Sequence, residues 1–245
     1  MYNSFAKYYD ILMRDVDYAE RADYIRSLFT RFGKMPTLLL DLACGTGGMS
    51  NEFASLGVSV IGVDISEEML AVAYEKSSAK NNSILYLCQP AQELDLYGTV
   101  DGAVCTLDSL NHITDYGDFC KAIGRVSLFL EKDSLFIFDM NTVYKHENVL
   151  ANNTFVIEED GVYCVWQNAY TADTHTTEIT LDFFESDCGK YTRSTESFIE
   201  RAYTSDEIKN ALESAGLSLI AQLADMSTDL PKPDTQRTVF VAKKI

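Results

Sequence analysis

Positive charge is scarce in this chain: 20 Lys and Arg stand against 37 Asp and Glu, for a formal net charge of −17. Phosphate backbones are held by clustered Lys and Arg, so no nucleic-acid partner is expected. Histidine is rarer still, at positions 112, 146 and 175 only, without the spacing of a ligand set, and no metal is expected. The six cysteines (44, 88, 105, 120, 164 and 188) include no C-x-x-C pair, and four lie in or beside apolar runs as buried thiols do, which fits a reducing cytosol. There is no G-x-S-x-G and no Cys/His arrangement to support a hydrolase. No apolar run approaches the roughly 18 residues of a membrane span, and the N-terminal stretch lacks the charged-then-apolar order of a secretory signal. The expectation is a soluble, cytoplasmic protein with no membrane partner. Internal repeats and low-complexity tracts are also missing.

What is present is ordinary globular composition, 47% hydrophobic and 23% charged, in 245 residues, enough for one elaborated α/β domain or two small ones. Residues 1–34 read as helix, with Tyr18, Ala22, Ile25, Leu28 and Phe29 at helical spacing and Gly33 and Pro36 as the stop. Strands and helices then alternate: "TLLLDLA", a helix near 47–56, "VSVIGVD", a helix near 66–80, "ILYLCQ", "DGAVCTL", a helix near 115–130 and "SLFIFDM". Apolar strands separated by amphipathic helices predict a parallel sheet covered on both faces. After Asn148 the pattern becomes β-rich, with short turns at Asp160-Gly161 and Cys188-Gly189 that suit antiparallel hairpins. The α/β pattern resumes with a helix near 204–215, "LSLIAQLA" and "RTVFVAKK".

The first strand runs into "LLLDLACGTGGMS" (38–50), and Gly45, Gly47 and Gly48 nearly reproduce G-x-G-x-x-G, with Asp64 placed 19 residues after Gly45 to bind a ribose. Any adenosine cofactor is served by these two features. Asp41 separates the candidates: a carboxylate four residues before the first glycine repels a pyrophosphate but not a cation. The acid-x-x-x-Gly-x-Gly run of Asp41, Gly45 and Gly47, followed by "VIGVDISEEMLAVA" (60–73), resembles the class I S-adenosylmethionine-dependent methyltransferases, and the likeness extends over most of the chain.

The resemblance implies S-adenosyl-L-methionine as cofactor. It also implies a Rossmann-like methyltransferase fold: a seven-stranded, mostly parallel sheet ordered 3, 2, 1, 4, 5, 7, 6, with helices on both faces and the last strand antiparallel, plus an inserted antiparallel β-sheet. Residues 1–148 and 201–245 then form the cofactor-binding domain, and 149–200 an inserted β subdomain over the active site. By the same analogy Asp41, Ala43, Gly45 and Gly47 hold the methionine part and Asp64 the ribose. Ile65 and Met69 pack near adenine, with Met69 as plain core an open alternative, and Leu107 in the turn after the fourth strand is a further cofactor contact. One departure stands in "CQPAQEL" (88–94), where Pro90 replaces an expected acid and leaves Ala91 and Gln92, or Gln89, to meet the adenine.

The polar run "CTLDSLNHI" (105–113) ends the fourth strand, where the family's methyl group faces. Asp108 and Asn111 are candidates to orient substrate and His112 to act as a base, though each also suits a loop, cap or structural role. Asp139 and Asn141 end the fifth strand at the same rim. "YNSFAKYYDIL" is similar to the family's lid helix, with Tyr9 as the methyl-facing hydroxyl and Tyr2 and Phe5 beside it. The inserted hairpins resemble the platform of methyltransferases acting on small molecules. Residues 150–200 carry 2 basic and 10 acidic side chains, which could steer an amine, although a solvated sheet face is the simpler explanation. Trp166 either walls the pocket or fills the sheet core.

The function expected is methyl transfer to a nitrogen or oxygen of a small polar molecule, with a homodimer compatible with it. An NAD-dependent oxidoreductase and a non-catalytic cofactor-binding module are the alternatives. Asp64→Ala is expected to weaken S-adenosylmethionine binding by about 1.5–3 kcal/mol in a calorimetric titration, with the melting temperature of the free protein little changed.

Overall fold

The computed structural model describes residues 5–159, 161–187 and 189–245. The helix expected over residues 1–34 is two helices, α1 (Phe5–Leu12) and α2 (Tyr18–Phe32). The cause is Asp17: it turns extended and its carboxylate accepts the Glu20 N–H at 2.9 Å, starting a new helix that periodicity alone ran through. Gly33 closes α2 by donating its N–H to the Phe29 carbonyl.

From there the chain alternates β1 (Leu38–Leu42), α3 (Gly48–Ser55), β2 (Ser59–Asp64), α4 (Glu67–Ala79), β3 (Ile84–Cys88), β4 (Val100–Cys105), α5 (Tyr116–Phe129) and β5 (Leu130–Asn141). A π-helical turn over Lys145–Leu150 follows, which the sequence pattern did not signal. Next come β6 (Thr154–Glu159), β7 (Val162–Thr171), β8 (Thr176–Asp187) and β9 (Lys190–Arg201), then α6 (Ser205–Ser214), β10 (Leu217–Ala224) and β11 (Arg237–Lys244). Side-chain caps start the helices where sequence suggested: Ser66 for α4, Asp115 for α5 and a Thr204–Glu207 capping box for α6.

The seven-stranded sheet runs β3-β2-β1-β4-β5-β11-β10, parallel except for β11, which is antiparallel to both neighbours. Successive residues of a strand face opposite sides, and β1 shows the result: Leu39 joins Ile25, Phe29 and Phe53 under α2 and α3, whereas Leu40 joins Phe119, Ile123 and Leu212 under α5 and α6. Two apolar layers therefore clamp the sheet, and its polar strand ends are left at the carboxyl rim. β3 is an edge strand and keeps Leu85 and Cys88 exposed. Of the other cysteines, Cys105 and Cys164 are buried, Cys44 and Cys120 half-buried, and Cys188 lies outside the described residues.

The second sheet is an antiparallel meander, β6-β7-β8-β9. Its two-residue turns fall between the Glu159–Val162 and Asp187–Lys190 pairs, with Gly161 and Gly189 at φ +79°; Asp160 and Cys188 themselves lie outside the described residues. Its inner face forms a third apolar cluster with α1 and α4, in which Ala6, Tyr8 and Met69 meet Val162, Cys164, Ile179, Leu181 and Phe183. Trp166 packs at the margin of this cluster, and its Nε1 donates to Asn168. Tyr8 stacks on Phe183 at 4.6 Å between centroids and donates to Glu185. Phe183 is fully buried, so Phe183→Ala should cost about 3–5 kcal/mol of stability, read by chemical denaturation.

Candidate active site

β1 delivers Asp41 to the rim at 1% exposure. The chain then turns through three left-handed positions, Ala43 (φ 55°), Gly45 (φ 53°) and Gly47 (φ 75°), into α3. Space as well as φ demands glycine at 47, since a Cβ there would sit 2.6 Å from the Tyr86 hydroxyl and 3.0 Å from the Ala73 Cβ. Ser50, at the place of a third glycine, donates its hydroxyl to Asp41 at 2.5 Å and ties α3 to β1. Burial lifts the Asp41 carboxyl to about 7, opposed by the Ser50 hydrogen bond and reinforced by the charge of Asp64.

Asp64, at the end of β2, accepts the backbone N–H of Gly45 at 2.8 Å and that of Ser66 at 2.9 Å. Burial raises its pKa against these hydrogen bonds. Removing the carboxylate therefore frees two backbone donors, so Asp64→Ala will also lower the melting temperature, a correction to the expectation from sequence. Ile65 is 62% exposed beside it, whereas Met69 is buried in the cluster beneath α1. Pro90 begins a short turn containing the half-buried Ala91 and Gln92. Gln89 is engaged elsewhere, through two hydrogen bonds with the backbone of Asp95.

α1 roofs the glycine turn. Thr46 donates to Asp10 at 2.8 Å, and Lys76 of α4 reaches both Thr46 (2.9 Å) and Asp10 (2.6 Å). Tyr9 lies with its ring 3.9–4.0 Å from where a Gly45 Cβ would stand, and it hydrogen-bonds Tyr18. Burial, then the charges of Tyr18, Asp108, Asp64 and Asp10, hold its phenol well above 10, so it is a hydroxyl rather than a base. A cavity of about 20 Å³ lies among Tyr9, Tyr18, Asp41, Thr46, Thr106 and Leu107. Tyr2 lies outside the described residues, as does the side chain of Phe5.

After β4 two non-glycine residues in succession are left-handed, Leu107 (φ 59°) and Asp108 (φ 55°). Asp139 of β5 stabilises them: its carboxylate accepts the N–H of Leu107 at 2.9 Å and of Asp108 at 2.8 Å. Arg237 of β11 pairs with Asp139 at 2.8 Å and with Asp108 at 2.6 Å, and Asn141 donates to Asp108 at 2.6 Å. Burial raises the Asp108 pKa, but Arg237 first and Lys145 next hold it below the usual value, making it a fixed anion. Asn111 locks the turn to the rim, donating to the Asn141 and Arg201 carbonyls and accepting the Asn141 N–H.

His112 follows, its side chain 34% exposed, with its pKa lowered by desolvation against the raising influence of Asp108 and Asp64. Its Nε2 stands 3.6 Å from Oε1 of Glu200, a residue of β9 only 4% exposed. The other Glu200 oxygen stands 3.7 Å from Nε2 of His146, whose Nδ1 meets the Thr177 hydroxyl at 2.8 Å. Burial, then Asp108, lift Glu200 to about 8 against Lys145, Arg237 and a hydrogen bond with Asn141. Burial pushes His146 down to about 4. Among the described residues no group of three or more His, Cys, Asp and Glu could hold a metal ion.

The structure thus brings Tyr9, Asp41, Asp64, Leu107, Asp108 and His112 to one rim, with Ile65, Ala91 and Gln92 beside the end of β2. Sequence reasoning missed Lys145, His146, Glu200 and Arg237. The first two follow Asp139 and Asn141 in "DMNTVYKHEN", so the rim could have been extended through them. Glu200 and Arg237 arrive only through tertiary pairing.

The methyltransferase-domain family matches residues 39–128. A protein of Geobacillus sp. (strain WCH70) named as a methyltransferase is 31% identical, covering 99% of each chain. The protein of Bacillus subtilis (strain 168) named as methyltransferase YqeM is 30% identical, covering 100% of this chain and 97% of its own. The crystal structure of an S-adenosylmethionine-dependent methyltransferase from Clostridium acetobutylicum ATCC 824 superposes with a TM-score of 0.90 at 32% identity, over 99% of this chain and 98% of that one.

Asp41 supplies a prediction of sign. A folded-state pKa near 7 against 3.8 means that the folded protein retains a proton that the unfolded chain releases, so stability falls as pH rises through this interval. Asp41→Asn removes that cost and should stabilise the free protein by on the order of 2–4 kcal/mol at pH 8 but hardly at pH 4, measured by thermal and denaturant unfolding.

Proposed function

Because this chain belongs to the S-adenosylmethionine-dependent methyltransferases, we propose that it methylates a nitrogen or oxygen of a small polar molecule. Membership sets aside the nicotinamide-dependent alternative and the non-catalytic one. The observation that carries the reading is the meeting of Tyr9, Asp64, Asp108 and His112, from three separate segments, at the carboxyl rim beside the glycine turn.

The residues of the turn fit the cofactor chemically. Asp64 accepts the Gly45 N–H on one oxygen and the Ser66 N–H on the other, with a further backbone hydrogen bond from Ile65, and its remaining acceptor capacity suits ribose hydroxyls. The buried Asp41 suits a cationic methionine end, with Ala43, Gly45 and Gly47 letting backbone approach closely. Ile65, Ala91, Gln92 and Leu107 border the adenosine side, with Met69 packed behind them. S-adenosylmethionine, when bound, supplies a methyl carbon on cationic sulfur that a lone pair can displace in line.

The chain's own groups orient the acceptor and take its proton. The Tyr9 hydroxyl donates at the methyl-facing position, Asp108 gives a permanent negative charge, and His112 is the base. The meander, as an inserted subdomain over residues 149–200, closes the far side of the acceptor site. The setting is a reducing cytosol, the acceptor is free in solution, and a homodimer is compatible with the reading.

The test follows S-adenosylhomocysteine release with a panel of small amines, alcohols and phenols, and in parallel with protein and RNA substrates. Turnover confined to small amines or hydroxyl compounds is expected, and turnover only on macromolecules would overturn the reading. On the acceptor so found, His112→Asn should lower kcat by about 10²-fold while leaving the calorimetric affinity for S-adenosylmethionine unchanged.

A further inference from the structure

The pair Glu200–His146 has no role in the chemistry so far. Both side chains are buried, and among the described residues Glu200 Oε2 and His146 Nε2 have no hydrogen-bond partner. A buried carboxyl with an orphaned oxygen is costly and is tolerated where it serves something else. Its other oxygen is turned to His112, the one imidazole of the rim with an open face.

We propose that Glu200, delivered by β9 of the inserted sheet, is a positioning residue that sets which nitrogen of His112 carries the proton. The inference rests on His112 being the base. With Nε2 turned to Glu200, the ring offers Nδ1 on its other side. An ionised Glu200 accepts the Nε2 proton and leaves Nδ1 as a lone pair, able to take a proton from the acceptor. A protonated Glu200 instead donates to Nε2, which places the imidazole proton on Nδ1 and abolishes the base.

The step balances. As the acceptor's lone pair forms its bond to carbon, the carbon–sulfur pair returns to sulfur, giving a neutral thioether. The proton lost by the acceptor nitrogen or oxygen ends on Nδ1, and the resulting imidazolium is held by the Glu200 carboxylate. The separation of 3.6 Å is longer than a hydrogen bond, as is common before a substrate closes a site. His146, fixed through Nδ1 by Thr177, stands behind Glu200 and limits its movement.

The groups that set this switch come from every side. Asp108 and Asp64 act on His112, whose ring also lies 5.0 Å from that of Phe198. Asp108, Lys145, Arg237 and Asn141 act on Glu200. Ionisation of Glu200 therefore falls where enzymes operate, and the inserted sheet carries a pH-dependent gate on the base.

The test is a long-range proton–nitrogen spectrum of the histidine rings in the ¹⁵N-labelled full chain, from about pH 5.5 to about pH 9.5. Wild type should show neutral His112 passing from the Nδ1–H to the Nε2–H tautomer with a midpoint near 8. Glu200→Gln should hold one tautomer throughout, and the alkaline rise of kcat/KM on the acceptor found above should disappear with it. A wild-type His112 that keeps one tautomer from about pH 7 upward would overturn the proposal, as would a Glu200→Gln protein with an unchanged tautomer shift. If Glu200→Gln does not fold, the wild-type titration decides alone. Full activity of His112→Asn would overturn the base reading separately, leaving the tautomer result to stand or fall on its own spectrum.

Discussion

The carboxylate of Asp139 is the point on which the site depends. Two successive left-handed, non-glycine residues cost roughly 1–2 kcal/mol each, and the turn at Leu107 and Asp108 persists because Asp139 accepts both N–H groups. A carboxylate at 1% exposure is itself unfavourable without cations. Arg237 supplies one contact directly, and Arg21 of α2 lies 3.5 Å away while gripping Asp225 with two hydrogen bonds. Two arginines and three aspartates thus join α2, the end of β10, β11, β5 and the turn after β4. That junction aims Asp108 and His112.

Much of the fold is legible in the sequence because its signals are local. Apolar runs, capping residues and the acid-before-glycine spacing act within a few residues, so β1 to β5, the helix starts at Ser66, Asp115 and Thr204, and the final strand can be read from the residues themselves. The break at Asp17 is lost because the apolar stripe continues across it. The rim is only half visible. Asp41, Asp64, Asp108 and His112 sit at strand ends where pattern reading looks, but Arg237 reaches Asp139 through the register that sets Val239 opposite it, and Glu200 reaches His112 through the base of a separate sheet.

The inserted meander shows what a charge count leaves open. Ten acids against two bases in residues 150–200 left two readings from sequence, a field that steers cations and, more simply, a solvated sheet face. Among the described residues of that segment, the buried acids are Asp182 and Glu200, and Asp182 is already taken by Arg193 and Thr195. Of the others described, Glu158, Asp173 and Glu178 are exposed, whereas Glu185 is half-buried and accepts the Tyr8 hydroxyl, and the acid next to the rim is the single side chain of Glu200. Its influence comes from desolvation and geometry, not from numbers.

The position of β11 also sets an order of events during synthesis. The meander pairs each strand with its sequence neighbour, so residues 154–201 can assemble as soon as they leave the ribosome. β5 and β10, by contrast, are joined only by β11 between them, and the bond from Arg237 to Asp139 spans 98 residues. Until that strand emerges, the turn after β4 has its backbone acceptor and Arg21 of α2 beside it, but not Arg237, which contacts both Asp139 and Asp108. The nascent chain therefore carries its inserted sheet before it carries a finished active site, and chemistry is withheld until the sheet is complete.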